Sequence, residues 1–413
     1  MTTNCHESRV DLFFELIQVA LGSRECLSRN PTDEDWQKLY DMCQMQAVAG
    51  VVFAALDGLS KFGQKPPLDI LIDWIGLSED IKQQNREVNR NTVKLCEELE
   101  KDGFLCCILK GQGNVMMYPD SLTRTPGDID VWSLTPNPSP KGEGNDVRHL
   151  VEYVRKKNPE GNACYHHIDY GVYHGTEVEV HYRPSFMFNP VHNRRLQKWF
   201  SEMADGGCLM VDLPEGAGLI RVPNRKFNII FQLSHVYNHL LHEGIGLKQV
   251  MDYYYLLKSN TNNSDNTDIS RILETYGTSD QGRARELENQ SIIGPVKWGL
   301  TESTKITEKT LRYLGMEKIA GAMMWVLSEK LGLEEEYLIA PKDEKRGKVL
   351  LKEIMRGGNL GLYDAENLKA NSRIKKGIQR FRRDLRMMRY FPSESLWEPI
   401  FRTYHFFWRM KYN

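Results

Sequence analysis

Two segments near the middle of the chain alternate apolar and polar side chains with a period of two. They are Tyr165–Val172 and Glu177–Tyr182, and the short segment His174–Thr176 lies between them. This alternation is typical of β-strands with two different faces, and a glycine-containing break between two such strands predicts a β-hairpin. Because the flanking regions have helical patterns, the sequence predicts an α+β fold, with a small mixed sheet between N-terminal and C-terminal helical regions.

Paired aspartates begin another predicted strand. Thr125–Gly127 marks a turn, and Asp128-Ile129-Asp130-Val131-Trp132 follows it. Side chains two residues apart on a strand point to the same side, about 7 Å apart along the backbone. Two carboxylates on one face repel each other unless a positive charge lies between them, and Mg²⁺ readily accepts carboxylate, water and phosphate oxygens. The pair suggests metal-assisted phosphoryl or nucleotidyl transfer, and a solvated strand end is the ordinary alternative.

A strand and a glycine turn precede the aspartates. Phe104–Leu109 is an apolar segment of strand length, the Lys110–Asn114 turn follows it, and Val115–Tyr118 has a helical pattern that Pro119 ends. Backbone N–H groups at such a junction can bind phosphate oxygens, and Lys110 would add a positive charge. Turns of this kind are also plain connectors, so the glycines alone do not identify a phosphate site.

A third acid is available on the second hairpin strand. Alternation places Glu177, Glu179 and His181 on one face of that strand. If the hairpin lies beside the Asp128 strand, one of these carboxylates reaches the same metal site. Three acids that converge from two strands are far more specific than one pair.

These motifs resemble those of an uncharacterised bacterial nucleotidyltransferase family in the DNA polymerase β-like nucleotidyltransferase superfamily. The matching segments are Leu109-Lys110-Gly111, Tyr118-Pro119, Arg124, Gly127-Asp128-Ile129-Asp130 and Glu179-Val180-His181. Weaker similarity continues through His235, His239, Lys248, Asp252 and the segment from Tyr390 to Trp408. One departure is in the first turn, where the superfamily usually has Gly-Ser or Gly-Gly and this chain has Gly111-Gln112.

The resemblance implies a nucleotidyltransferase core that binds two Mg²⁺ (or Mn²⁺) ions through Asp128, Asp130 and Glu179. The ions would hold the triphosphate of an NTP, which we expect to be ATP. Glu177 is the fallback for the third acid, and Glu179 could alternatively act as a general base. The residues expected at the nucleotide are Lys110, Gly111, Gln112, Arg124, Gly127, His181, His239 and Lys248. For Arg124, an ordinary surface arginine is an equal alternative.

Length and composition limit the class of protein. The 413 residues exceed one ordinary domain, and the net charge of −1 implies no global attraction to nucleic acid. The eight cysteines include no Cys-x-x-Cys spacing, which indicates reduced thiols. No signal peptide and no apolar segment of membrane-spanning length is visible, so we expect a cytoplasmic protein.

We expect three regions. Residues 1–92 are helical, with helices at Val10–Leu21, Trp36–Leu56 after a Thr32/Asp33 cap, and Asp80–Lys101. Residues 93–215 form the catalytic core, which a Pro- and Gly-rich insertion at 135–145 interrupts before a helix at Asp146–Lys157. Residues 216–413 are helical again. Their expected features are a helix capped by Asn224 and ending near His242, helices Leu247–Lys258 and Leu311–Leu331, and an insertion at about 277–306.

Two other constellations compete with this interpretation. His235, His239 and His242 share one helical face and could bind zinc in a metallohydrolase, although Val236 stands where a zincin has glutamate. Packed polar histidines are the ordinary alternative, and a helix-surface ion pair explains Lys248 and Asp252. Residues 369–389 hold nine Lys or Arg against one Asp, before an aromatic segment. This pattern could bind RNA or an anionic membrane surface, but a solvated helix with a packed aromatic C-terminus is favoured.

The sequence therefore predicts Mg²⁺-dependent transfer of a nucleoside monophosphate from an NTP to a hydroxyl of a small molecule or protein. A non-catalytic nucleotide-binding regulatory module is the first alternative. A histidine-based metallohydrolase is the second.

Overall fold

The computed structural model describes residues 2–134, 145–204, 208–259, 306–364 and 373–413. Six strands lie in these ranges: β1 Leu105–Ile108, β2 Ile129–Leu134, β3 His167–Tyr173, β4 Thr176–His181, β5 Cys208–Leu213 and β6 Gly218–Pro223. The helices before and among the strands are α1 Thr2–Ala20, α2 Asp33–Met45, α3 Ala49–Phe53, α4 Leu56–Ser60, α5 Leu68–Lys101, α6 Asn145–Lys157 and α7 Pro190–Ala204. Those that follow are α8 Arg225–His242, α9 Leu247–Lys258, α10 Glu308–Tyr313, α11 Glu317–Leu331, α12 Glu344–Gly357, α13 Arg373–Met388 and α14 Pro392–Tyr412. The fold is α+β, as the sequence predicts.

The main sheet has the strand order β1-β2-β4-β3. Strands β1 and β2 are antiparallel, the β3–β4 hairpin is antiparallel, and β2 and β4 pair in parallel at the centre. The predicted hairpin is confirmed, and it lies beside the aspartate strand. Strands β5 and β6 form a separate two-stranded sheet. Strand β6 lies after residue 215, so strands continue beyond the point where we expected the catalytic core to end.

The two faces of the main sheet have different environments. Ile129, Val131, Val178 and Val180 are almost fully buried in a cluster formed with apolar side chains of α5 and α6. The alternate residues of the same strands point the other way, where Trp132 stacks on Phe227 of α8 with ring centroids 5.1 Å apart. Because side chains alternate along a strand, Asp130 and Glu179 also lie on this second face.

The N-terminal helices agree with the predictions in kind and differ in extent. The Thr32 side chain caps α2 by accepting a hydrogen bond from the Asp35 N–H. The predicted Trp36–Leu56 helix stops at Met45 because Ala47 adopts a left-handed conformation with φ 55°. Helix α5 is longer than predicted, and the boundary that we placed between residues 92 and 93 lies inside it.

Two other helix predictions differ from the structure. Val115–Met117 is a 3₁₀ turn that follows another at Gly111–Gly113, so the predicted helical segment is not an α-helix. The predicted helix over 311–331 is divided into α10 and α11, and Gly315 between them has φ 74°. The helices predicted from Asn224 and over Leu247–Lys258 are confirmed, and the Asn224 side chain accepts a hydrogen bond from the Phe227 N–H. The insertions expected at 135–145 and 277–306 lie almost entirely outside the described residues.

The C-terminal hairpin of α13 and α14 joins both parts of the interior. Phe401 packs in the helical core, whereas Trp408 and Tyr412 complete the core beneath the sheet. The aromatic C-terminus is only partly packed, contrary to expectation. Phe406 and Phe407 lie outside both cores and are 62% and 61% exposed. In the described part of the chain, no helix is both long and apolar enough to cross a bilayer.

Candidate active site

Strand register brings the third carboxylate to the paired aspartates. Asp130 of β2 lies directly opposite Glu179 of β4 in the parallel pair, and Asp128 immediately precedes β2. Asp130 is completely buried, whereas the side chains of Asp128 and Glu179 are 35% and 31% exposed. The three acids thus extend from the interior to the surface. Glu177, two residues before Glu179 on β4, is exposed. It lies opposite Val172 of β3 and not opposite Asp130.

Lys110 lies between the two aspartates. Its ammonium is 3.5 Å from Asp128 Oδ2 and 3.3 Å from Asp130 Oδ2. Burial opposes the charge on Lys110, but the nearby Asp130 and Asp128 outweigh burial and raise the pKa of Lys110. Lys110 in turn holds the pKa of Asp128 below its usual value. The positive charge that a pair of carboxylates on one face requires is supplied here by Lys110, the second residue after β1.

His181 lies between two of these acids. Its Nε2 is 3.0 Å from Asp130 Oδ1 and 3.3 Å from Glu179 Oε2. Burial lowers the pKa of His181, and the hydrogen bonds to Asp130 and Glu179 more than reverse this and raise it. Burial raises the pKa of Glu179, but the His181 hydrogen bond and the nearby His167 lower it further. Burial raises the pKa of Asp130.

Glycines shape the turn that holds Lys110. Gly111 has φ +59°, a conformation that side chains rarely adopt, and a Cβ there would lie 3.2 Å from the Asp128 carbonyl oxygen. A Cβ at Gly113 would lie 2.7 Å from the Ile108 carbonyl oxygen, which is closer than real contacts allow. The turn after β1 can therefore pack against the start of β2 only with glycine at these two positions.

Gln112 is turned away from the acids. It is 2% exposed, and its amide donates to Asn89 and, at 3.4 Å, to Asn85 of α5. The expectation that Gln112 contacts the nucleotide is therefore not supported by its position. A polar residue replaces the usual small one because this turn is anchored to a row of asparagines on α5.

Arg124 is also committed to the interior. Its guanidinium makes a bidentate ion pair with Asp252 of α9, with distances of 2.7 and 2.8 Å, and its side chain is 5% exposed. Tyr118 donates a hydrogen bond to the same carboxylate. Neither the phosphate-contact nor the surface-arginine interpretation describes this residue. The proposed Lys248–Asp252 surface pair is wrong too, because Asp252 is 5% exposed and bound to Arg124.

Lys248 lies beside the loop that enters β2. Its ammonium donates to the Pro126 carbonyl oxygen at 3.3 Å, and a Cβ at Gly127 would lie 3.3 Å from the same nitrogen. Burial and the nearby Arg124 lower the pKa of Lys248 to about 7. Lys248 and Gly127 are thus next to Asp128, as the sequence-based site requires.

His235 and His239 pair with each other rather than with the acids. Their Nε2 atoms are 2.9 Å apart, and His239 Nδ1 is 3.6 Å from Glu243. His242 instead contacts Glu398 at 3.1 Å. Among the described residues, these histidines belong to no group of three or more side chains close enough to share a metal ion. The structure therefore gives no support to the zinc hydrolase alternative.

Sequence reasoning did not select His166, His167 or Asp169. His167 Nδ1 is 3.3 Å from Glu179 Oε2, its Nε2 is 3.3 Å from Asp169 Oδ1, and His166 Nε2 is 3.1 Å from His167 Nδ1. The hairpin register was the available signal, because it pairs His167 with His181 and Asp169 with Glu179.

Comparison with known proteins agrees with this geometry. Residues 32–282 match the model of a protein family described as uncharacterised nucleotidyltransferase. The chain belongs to that family. Among solved structures, it is similar to an antigenic nucleotidyltransferase-like protein from Paracoccidioides brasiliensis, with 11% identity over 48% of this chain and 89% of that one. The TM-score of 0.27 is too low for that similarity to carry an argument. No curated protein matches the chain significantly.

Proposed function

We propose that this nucleotidyltransferase-family protein transfers a nucleoside monophosphate from an NTP, with ATP as the expected donor, to a hydroxyl of a small molecule or protein in a Mg²⁺- or Mn²⁺-dependent reaction. The observation that carries the proposal is the convergence of Asp128, Asp130 and Glu179 around Lys110 and His181. Membership of the family supports the reaction class. The bacterial source and the superfamily remain predictions.

The acids fit a hard divalent cation. Among the residues that the structure describes, Asp130 is fully buried, and its Oδ2 has no hydrogen-bond partner and lies 3.3 Å from the ammonium of Lys110. Carboxylate oxygens are the protein ligands that Mg²⁺ prefers. Asp128, Asp130 and Glu179 would hold the ions. When bound, the ions would neutralise phosphate charge and lower the pKa of the acceptor hydroxyl.

The protein's own groups have separate roles in this proposal. Lys110 holds the pKa of Asp128 below its usual value, and its positive charge between the two aspartates would also suit phosphate oxygens. Gly111 lets the turn after β1 approach the Asp128 backbone, and the Lys248 side-chain nitrogen lies at the loop of Pro126 and Gly127. His181 orients both Asp130 and Glu179 through Nε2.

Glu179 suits the role of ligand better than that of general base. A base is most effective when its pKa is near the working pH. The pKa of Glu179 lies below its usual value, because the His181 hydrogen bond and the nearby His167 outweigh burial. Its carboxylate therefore stays ionised and accepts protons only weakly. A weak proton acceptor can still bind a metal ion.

The test uses purified protein, NTPs labelled at the α-phosphate, Mg²⁺ or Mn²⁺ and a cell extract as the source of acceptor. We expect label transfer with the wild type and none with the Asp128→Asn/Asp130→Asn variant. Asp57→Asn, an exposed aspartate of α4, is the control and should retain transfer. Metal-dependent NTP binding without transfer would instead favour the regulatory module. Equal NTP binding by the double variant would overturn the site.

A further inference from the structure

Three histidines gather beside Glu179. His181 Nε2 and His167 Nδ1 each lie 3.3 Å from Glu179 Oε2, and His166 Nε2 lies 3.1 Å from His167 Nδ1. Each of the three imidazoles offers a ring nitrogen within 4.8 Å of the other two. The cluster arises because β3 and β4 pair His167 with His181, and His166 directly precedes β3.

The spacing of these atoms matches one coordination sphere. A tetrahedral ion with bonds of about 2.0–2.1 Å keeps its ligand atoms roughly 3.3–3.4 Å apart. The contacts at Glu179 Oε2 and between His166 and His167 lie within a few tenths of an ångström of that value. The three imidazoles already offer nitrogen atoms within 4.8 Å of one another, and Glu179 Oε2 lies beside two of them, so an ion would draw these donor atoms together.

His167 has the surroundings of a metal-binding histidine. A histidine ligand usually has its other ring nitrogen bound to a carboxylate or carbonyl oxygen. The Nε2 of His167 is 3.3 Å from Asp169 Oδ1, which leaves Nδ1 directed at the cluster. His181 is 3% exposed, and the Nδ1 atoms of His166 and His181 are buried with no hydrogen-bond partner in the described ranges of the chain. The cluster thus has more nitrogen atoms than the protein satisfies.

We propose that His166, His167, His181 and Glu179 form a binding site for a first-row transition-metal ion such as Zn²⁺. Imidazole nitrogens favour such ions, whereas Mg²⁺ takes oxygen ligands. The site shares Glu179 and His181 with the proposed nucleotidyl transfer, but His166 and His167 have no role in that proposal. Binding at this site can therefore be tested separately from catalysis.

The experiment titrates untagged, chelator-treated protein with Co²⁺, whose visible absorption reports imidazole coordination, and then displaces it with Zn²⁺. We expect one Co²⁺ per chain and a visible band that Zn²⁺ removes. In the His166→Gln/His167→Gln variant we expect the apparent affinity to fall by at least about 100-fold, since loss of outer partners alone costs about 10–100-fold. Glutamine keeps the size and polarity of these residues, and circular dichroism checks that the variant folds.

Two further variants locate the ion. His174→Asn alters an exposed histidine in the turn of the same hairpin and should leave Co²⁺ binding unchanged. Asp128→Asn removes an acid of the proposed transfer site but no ligand of the histidine site, so its Co²⁺ band should persist even though transfer is lost. Undiminished Co²⁺ affinity in the double histidine variant would overturn the proposal. Loss of the visible band in Asp128→Asn would also overturn it, and so would a wild-type protein that does not bind Co²⁺ stoichiometrically.

Discussion

Glu179 and Glu177 are two residues apart on β4, yet only Glu179 lies opposite Asp130. Glu179→Gln should lower nucleotidyl transfer by at least about 100-fold, because it removes a carboxylate from the acids that would bind the cations. Glu177→Gln, the matched control on the exposed part of the strand, should stay within about threefold of the wild type. Initial rates with labelled NTP measure both. A loss confined to Glu177→Gln would reverse the assignment of the third acid.

The Arg124–Asp252 pair is a buried structural link between the loop before β2 and helix α9. Asp252→Asn should lower the free energy of unfolding by about 3–5 kcal/mol, because it leaves a buried guanidinium without its counter-charge. Chemical denaturation measures the change. Glu202→Gln breaks an exposed ion pair with Lys198 and should cost no more than about 1 kcal/mol. Equal effects of the two substitutions would contradict the structural role of the pair.

At the scale of the element, helix α14 carries an unusual histidine on its inner side. Burial, followed by the charge of Arg409, lowers the pKa of His405 to about 4, and Nε2 of this residue has no hydrogen-bond partner within the part of the chain that the structure describes. The unfolded chain therefore binds a proton near pH 6.5, whereas the folded chain does not bind one until about pH 4. The contribution of His405 to stability is complete above pH 6.5 and is lost as the pH falls toward 4.

His405→Phe should reduce this loss, since phenylalanine fits among the neighbouring rings and cannot bind a proton. Urea unfolding between pH 7 and pH 4 should show a shallower decline for the variant, with a difference of no more than about 3 kcal/mol, since one unit of pKa shift corresponds to about 1.4 kcal/mol. Thr403→Ala, an exposed change in the same helix, should follow the wild type. Parallel pH profiles for His405→Phe and the wild type would refute the effect.

For the molecule as a whole, α14 makes the sheet and the C-terminal helices one packed unit. Phe401 lies in the helical core, and Trp408 stacks on Tyr412 in the sheet core with ring centroids 4.4 Å apart. The Asn413 side chain accepts a hydrogen bond from the Ala163 N–H and donates one to the Ala163 carbonyl oxygen, next to β3. The sheet core is therefore completed by side chains from the other end of the chain.

Trp408→Ala should destabilise the protein by about 3–5 kcal/mol through the cavity that it leaves. Because both cores contain side chains of α14, thermal unfolding should remain one transition when followed by both secondary-structure and tryptophan signals. Phe406→Ala, which changes an exposed ring two residues away, should alter stability by less than about 0.5 kcal/mol. Separate transitions for the two signals would indicate that the regions unfold independently.

Local pattern was sufficient to predict the parts of the site that depend on neighbouring residues. The hairpin, the aspartate strand, the Thr32 and Asn224 caps and the helix Leu247–Lys258 all follow from side-chain period and capping chemistry, which act over a few residues. The sequence also predicted that Asp128, Asp130 and a hairpin glutamate would share a face. Alternation along a strand allows that prediction once the two strands are assumed to be neighbours.

Only the tertiary structure decided which groups face one another across the fold. Strand register selected Glu179 over Glu177, and the approach of α9 buried Arg124 against Asp252, far from it in sequence. Packing against α5 turned Gln112 inward, and the β3–β4 pairing gathered His166 and His167 beside His181. These outcomes depend on contacts between distant segments, whose geometry no local pattern contains. The sequence by itself determined the fold class, the paired acids and the presence of a third acid. The positions of Lys110 and of the histidines around these acids were decided by packing.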